Sequence, residues 1–521
     1  MPEVIIDDIP IQFTGKANIM ELARGAGIEI PGFCYHPGLS VAGNCRMCLV
    51  EIGMPAREKD GSVSKDESGK VKISFLPKLQ PACYQEPADG MVIRTNTEKV
   101  ITNRKYIMEF LLANHPLDCP VCDQAGECVL QDYSFQYGFS KSRFFDKKRT
   151  FVKTEFSDII TPELNRCIHC DRCSRFTKEI AHDYAFTRTW RGNKTELAAF
   201  PGEKITHNYQ GNMVDICPVG ALTLTDFRFK SRVWFLKHSE GICSSCGKGC
   251  SVVYAINQKN EILRVKPKFN KDVNSYWMCD YGRLRYKFFN ENRNHHTLIS
   301  GTISSLENTM EKAAQLLRGS KITGIIASAN ESVESMTALA DFTREISKTP
   351  SKTIHIDFRV HTAQIEENKS LKEGEILLVN DPYPNSEGAR RAKLTPASGA
   401  MSAQEMLKNP EKLDLLIVII DDKFAENPDL LEALALANTK QKNIILFSAF
   451  KTTADTMASV VFPIPACIEQ EGTFINVDGI AQKFKPVIQP GANVKSLQEI
   501  LNQLNNRLLV PDEKQMGATF T

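Results

Sequence analysis

The chain has 521 residues, 42% hydrophobic and 24% charged, an ordinary composition with room for three or four domains. A formal net charge of +2 gives no global case for nucleic-acid binding or for an acidic substrate. No apolar run reaches the length of a bilayer helix, and stretches such as Leu413 to Ile420 are strand-sized. After Met1 the sequence Pro-Glu-Val-Ile-Ile-Asp-Asp carries acids where an export signal carries Lys or Arg, so a reducing compartment is expected. Sixteen cysteines are poor disulfide candidates there. Fifteen of them fall between Cys34 and Cys279, and only Cys467 lies beyond, which reads as a metal-binding region joined to a metal-free one.

The first cysteine set is Cys34, Cys45, Cys48 and Cys83. Short strands are expected at Val4–Ile6 and Ile11–Phe13, a helix from near Asn18, and an apolar strand at Leu49–Ile52. This is a small β-grasp, ferredoxin-like pattern in which a loop holds three thiolates and a distant fourth closes the site. Ten residues separate Cys34 from Cys45, against four in the plant-type spacing. The charged insert from Arg57 to Lys72 reads as a solvated hairpin or loop.

The second set is His115, Cys119, Cys122 and Cys128. A helix is expected over Glu98–Ala113, with Ile101, Ile107, Phe110 and Leu111 as its buried face, and Pro116 forbids its continuation. His115 at that helix end reads either as a C-terminal cap or as a ligand. By spacing alone the set suits zinc or iron–sulfur equally. The neighbouring sets favour a four-iron cluster with one imidazole ligand, which should raise its potential.

The third set is Cys167, Cys170, Cys173 and Cys217, with two-residue gaps and a remote cysteine followed by Pro218. This matches the bacterial ferredoxin spacing for one four-iron cluster. The fourth set is Cys243, Cys246, Cys250 and Cys279, with paired strands expected at Ser251–Ile256 and Glu261–Lys266. A zinc ribbon is the competing reading of such spacing. His207 and His238 read as ordinary polar residues.

From about residue 295 apolar strands alternate with helices. Strands are expected at Ile322–Ala327, Ile376–Asn380, Leu415–Ile420 and Ile444–Phe447, and helices at Met336–Ile346 and Leu430–Ala437. This is an α/β sheet with crossover helices. The stretches 327–332 and 380–389 read as pocket-rim loops. There is no Gly-x-Gly-x-x-Gly fingerprint and no P-loop, so no dinucleotide site is expected. Glu469–Gln482 resembles the Glu-Gly-Thr…Asn…Gly-Arg…Gln signature of molybdopterin oxidoreductases, with Ile480 in place of the usual Arg. That resemblance implies a shortened, cofactor-free relic acting as scaffold. Cys467 reads as a buried small residue, and Pro511–Thr521 as a mobile tail.

Four sets in this order, followed by the relic, resemble the large cluster-bearing subunit of the proton-pumping NADH–quinone oxidoreductases, respiratory complex I. The long Cys34–Cys45 gap suits the ferredoxin-like domains of complex I and of iron hydrogenases. The implied fold is α+β and α/β multidomain. A 2Fe-2S ferredoxin-like domain would span 1–95, a 4Fe-4S domain with one histidine and three cysteine ligands 96–150, and a ferredoxin-like 4Fe-4S domain 151–235. A four-cysteine 4Fe-4S domain would span 236–294, and the molybdopterin-oxidoreductase-like scaffold 295–521. The implied cofactors are one 2Fe-2S and three 4Fe-4S clusters, with no molybdopterin, NAD or FMN on this chain. The implied partners are a flavin- and NADH-binding subunit and other peripheral-arm subunits, with no nucleic acid. Membrane contact would come only through the assembled complex, on the cytoplasmic side of the inner or plasma membrane. Electrons would enter at the two-iron cluster, pass the Cys167 cluster, then the His115 cluster, and leave toward quinone. No residue is expected to do acid–base or nucleophilic chemistry, so the chain is part of an enzyme without a complete active site. The alternative is the corresponding subunit of an NAD-linked formate dehydrogenase or of a hydrogenase.

Overall fold

The computed structural model describes residues 1–360, 377, 379–439 and 443–509. The chain forms two compact units, Met1–Phe235 and Leu236–Thr521.

The N-terminal unit begins with a six-stranded mixed sheet. Its order is Ile9–Gln12, Glu3–Ile6, Met91–Arg94, Leu49–Pro55 and Ile73–Phe75, with Gln80–Pro81 added alongside Leu49–Pro55. Glu3–Ile6 runs parallel to Met91–Arg94, and its side chains alternate between half-buried and buried as a period-two strand requires. A helix at Ile19–Gly25 crosses this sheet. Asn18 starts it with a capping box, its side chain taking the Glu21 N–H while Glu21 reaches back. Val4, Ile6, Ile19, Ala23, Val50, Ile52 and Ile93 form the core beneath it, and Cys48 and Cys83 belong to that core. The Arg57–Lys72 insert is closed by two isolated bridges, Arg57 with Val63 and Lys65 with Val71.

The helix Glu98–Asn114 starts on a Thr97 cap and ends at His115. Its buried stripe is Val100, Arg104 and Met108, not the expected one; Phe110 is exposed. The helix packs on Leu49–Pro55 and on the helix Val129–Tyr137, and those neighbours select the i, i+4 row. Arg104 is buried because its guanidinium lies over the Tyr137 ring, 5.3 Å from the centroid.

The C-terminal unit opens with an antiparallel ribbon of Lys237–Ile242, Ser251–Ile256 and Ile262–Pro267. A seven-stranded sheet follows. Its five parallel strands lie in the order Thr353–Asp357, Ile322–Ile326, Leu415–Ile420, Asn443–Ser448 and Val460–Pro463. Every residue of the Leu-Leu-Ile-Val-Ile-Ile strand 415–420 is buried, as a central strand covered on both faces must be. Each such side chain contributes roughly 1.5–3 kcal/mol, so a charge at Ile417 would break this layer. The strand expected at 376–380 includes positions 376 and 378, which lie outside the described residues, as does the tail 511–521. Among the described residues no helix is long and apolar enough to cross a membrane.

Candidate functional site: four thiol sets

The first set sits where the loop after the first helix meets the sheet. Cys48 and Cys83 sulfurs are 3.3 Å apart. Cys34 lies within hydrogen-bond reach of Cys45 and Cys83, and the Phe33 N–H points at Cys45 Sγ at 3.4 Å. Contact among these thiols pushes Cys34 and Cys48 down and Cys45 and Cys83 up. Four thiols joined by such contacts ionise together only when a cationic centre compensates them.

The second set follows Pro116. His115 is the helix cap by its backbone, which donates to Leu112 O, while Lys148 Nζ donates to His115 O at 2.8 Å. Its ring does something else. Nδ1 is buried and makes no hydrogen bond within the protein, and burial, with Arg166 and Lys148 adding, pushes the imidazole down to about 4. A buried neutral imidazole with an orphaned nitrogen fits a metal ligand better than a cap. Cys122 and Cys128 are buried and Cys119 is exposed.

The third set lines one small enclosed cavity with Leu164, Ile168, Leu197, Val219 and Leu222. The loop wraps it because His169 and Asp171 take left-handed conformations, φ +53° and +62°, at a cost of roughly 1–2 kcal/mol each. Burial pushes all four thiols up, Cys170 to about 12.

The loops of these three sets are joined to one another. Arg172 Nη2 donates to Tyr35 O at 2.6 Å, next to Cys34, and its Nη1 donates to Ile216 O at 3.2 Å, next to Cys217. Arg175 donates to Cys34 O, and Asn44 Nδ2 donates to Asp171 at 3.2 Å. On the other side Arg166, beside Cys167, pairs with Asp118, beside Cys119, at 3.0 Å. Gly220 presses on Cys122 Sγ so closely that any Cβ would collide, and Pro218 O accepts from the Val129 N–H at 3.2 Å. The third set is therefore linked both to the first and to the second.

The fourth set lies in the C-terminal unit, and all its thiols are buried. The Cys243 N–H donates to Cys250 O at 2.8 Å, Gly249 turns the loop at φ +60°, and Gly282 N–H points at Cys279 Sγ at 3.4 Å. A Cβ on Gly282 would meet Cys243 Sγ at 2.7 Å. The relic signature grips this loop. Asn476 Nδ2 donates to Lys248 O at 3.2 Å, and Gln482 Nε2 donates to Gly249 O at 2.9 Å. Among the described residues no group of three or more His, Cys, Asp or Glu side chains has the arrangement of a site for a single metal ion.

Sequence reading missed the two glycines, although both follow the remote cysteine of a set by three residues, Cys217 to Gly220 and Cys279 to Gly282. His207, read as an ordinary polar residue, is largely buried edge-on to Phe176, and burial pushes it down to about 4. Cys467 is buried, and burial pushes it up to about 12.

Four family profiles match in succession. Residues 3–98 match a 2Fe-2S iron-sulfur cluster binding domain, and 104–143 the NADH-ubiquinone oxidoreductase-G iron-sulfur binding region. Residues 157–223 match the NADH-quinone oxidoreductase subunit 3 ferredoxin-like domain, and 288–507 match molybdopterin oxidoreductase. The chain is 34% identical over 385 residues to the NADH-ubiquinone oxidoreductase 75 kDa subunit of Reclinomonas americana, covering 72% of this chain and 52% of that one. It is 36% identical to the NADH dehydrogenase [ubiquinone] iron-sulfur protein 1, mitochondrial, of Solanum tuberosum, over 65% of this chain and 44% of that one. It is 34% identical to an NADH-quinone oxidoreductase subunit of Rickettsia bellii (strain RML369-C), over 70% of this chain and 51% of that one. The chain spans about half the length of the curated relatives it matches. With matches to two-iron and four-iron binding domains and to these relatives, it belongs to the family of the large iron–sulfur subunit, 75 kDa type, of NADH–quinone oxidoreductase.

Proposed function

We propose that this chain is the electron-transfer subunit of a complex I, relaying electrons from the flavin of an NADH-binding partner toward a quinone-reducing one. In this reading Cys34, Cys45, Cys48 and Cys83 hold a two-iron cluster. Four-iron clusters are held by His115 with Cys119, Cys122 and Cys128, by Cys167, Cys170, Cys173 and Cys217, and by Cys243, Cys246, Cys250 and Cys279. Loaded chain then carries about fourteen irons. The five segments are 1–95, 96–150, 151–235, 236–294 and 295–521. When bound, the clusters supply one-electron chemistry, and the protein supplies spacing, charge and dryness. The chain attaches to the membrane only through its partners, on the cytoplasmic side.

Contiguity carries the reading: Arg172 ties the first set to the third, and Arg166 and Gly220 tie the third to the second. Absence of a pterin is supported by Asn476 and Gln482, whose amides are engaged on the Cys246–Cys250 loop, and by Ile480. The test is Cys170→Ala in the assembled complex, followed by rapid-freeze electron paramagnetic resonance after NADH. The two-iron signal should reduce normally while the His115-site signal stays oxidised. Normal reduction of both would overturn the series arrangement.

A further inference from the structure

The parallel sheet of the C-terminal unit reverses its strand order between Ile322–Ile326 and Leu415–Ile420. The crevice beyond the carboxyl ends of two such strands is where an open α/β sheet receives a ligand. Here that crevice receives part of the chain itself. Lys423, three residues past the end of Leu415–Ile420, points Nζ at Ser244 O at 2.9 Å, inside the Cys243–Cys246 turn. The same ammonium donates to Asn330 Oδ1 at 3.1 Å, beyond the end of Ile322–Ile326, and lies 5.1 Å from the Tyr383 ring centroid. Its side chain is 0% exposed.

The charge is built in. Asp422 lies 3.7 Å from Lys423 Nζ and is itself held by Arg285 at 2.7 Å and by the Asn330 amide. Lys423 and Arg285 together hold Asp422 below the usual carboxylate range despite its burial. Asp421 takes the Lys423 and Phe424 N–H groups at 2.9 and 2.8 Å and the Ser328 hydroxyl at 2.5 Å, which fixes the backbone that carries the lysine. Two cations, Lys423 and Arg285, thus share Asp422 beside the fourth thiol set. Salt screens a buried charge of this kind very little.

We infer that Lys423 is a positioning residue for the fourth site, whose ammonium raises the reduction potential of a cluster held by Cys243, Cys246, Cys250 and Cys279. This rests on the ligand assignment proposed above. A reduced cluster on four thiolates carries one more negative charge than the oxidised one, and the nearest buried cation stabilises that extra charge. The α/β sheet then has a role beyond scaffold: its ligand crevice tunes the cluster that the sequence places next to it.

The test is a redox titration of the assembled complex, followed by electron paramagnetic resonance, for wild type, Lys423→Met, Lys423→Arg and Asp422→Asn. At a fixed poise Lys423→Met should lower the reduced-to-oxidised ratio of this cluster on the order of tenfold, which is 59 mV for one electron. Lys423→Arg should restore the wild-type ratio, Asp422→Asn should raise it, and the other three clusters should not move. A Lys423→Met complex that keeps the cluster at an unchanged potential overturns the inference. If Lys423→Met loses the cluster, Asp422→Asn decides: a raised potential supports the inference and an unchanged or lower one overturns it. Wild-type complex with no iron at this site instead removes the ligand assignment, and the inference falls with it.

Discussion

The sets of the N-terminal unit and the set of the C-terminal unit are built on opposite plans. In the N-terminal unit, arginines reach from one cysteine loop to a backbone oxygen or a carboxylate of another, and Gly220 lets one set touch another. Cys119 of the second set is exposed, with Leu117 and Val121 exposed on either side of it. The Cys243–Cys279 set is enclosed instead. Its loop is held by Asn476, Gln482 and Lys423, from the signature segment and from the end of a sheet strand. A series with an exposed end suits transit, whereas a sealed site whose partners all come from its own fold suits cohesion. On the proposed function, fold cohesion and electron transit are then separable by mutation.

The largest effect is expected from Gly220→Ala. A Cβ there has no room beside Cys122 Sγ, so the His115 site should lose its cluster, with destabilisation of about 1–3 kcal/mol. NADH–quinone turnover should collapse with it. Gly282→Ala should deplete only the fourth site, because its Cβ meets Cys243 Sγ. Iron analysis with paramagnetic resonance separates the two, and loss of the same cluster in both variants would erase the distinction between the plans.

Removing a ligand of the sealed set comes next. Cys246→Ala or Cys279→Ala should reduce assembly and thermal stability, since metal binding to this loop is folding free energy. Complex that does assemble should keep near-normal turnover. Well-assembled variant with three intact clusters and no turnover would put the fourth site on the transit path.

Asn476→Ala should be milder. It leaves Lys248 O without a buried donor and should cost roughly 1–3 kcal/mol, read by thermal unfolding, with turnover unchanged. An unaltered melting curve would show that the signature segment does not clamp the loop.

The smallest effect is a pH dependence. His207 is pushed by burial from an ordinary 6.5 to about 4 in the folded chain. The unfolded chain therefore binds the proton first on acidification. The neutral ring's stabilisation is complete above pH 6.5 and is lost as pH falls from 6.5 toward 4, by at most about 1.4 kcal/mol per unit. His207→Gln should flatten the fall of melting temperature across that window relative to wild type. Parallel curves for the two proteins would show that another group carries the acid sensitivity.

Much of this architecture was legible in residue order. A helix is expected from near Asn18, and one starts there on a capping box with Glu21. Leu415–Ile420 reads as a strand of an α/β sheet and is one, buried along its whole length. Short loops hold all four donors of the second set and three thiols of each other set, whereas Cys83, Cys217 and Cys279 reach their sets from distant chain. The buried face of the helix 98–114 was not legible. Its apolar residues offer two overlapping stripes, and contact with the neighbouring strand and helix selected Val100, Arg104 and Met108.

The sequence by itself therefore determined the donor chemistry and the local wrapping, because both depend on residue type and on separations of a few positions. The tertiary structure alone supplied the contacts that tie the third set to both the first and the second, because Arg172 and Gly220 meet residues far away in sequence. It also decided that Lys423 faces Ser244 across 179 positions, for no local pattern distinguishes a buried ammonium from a solvated one.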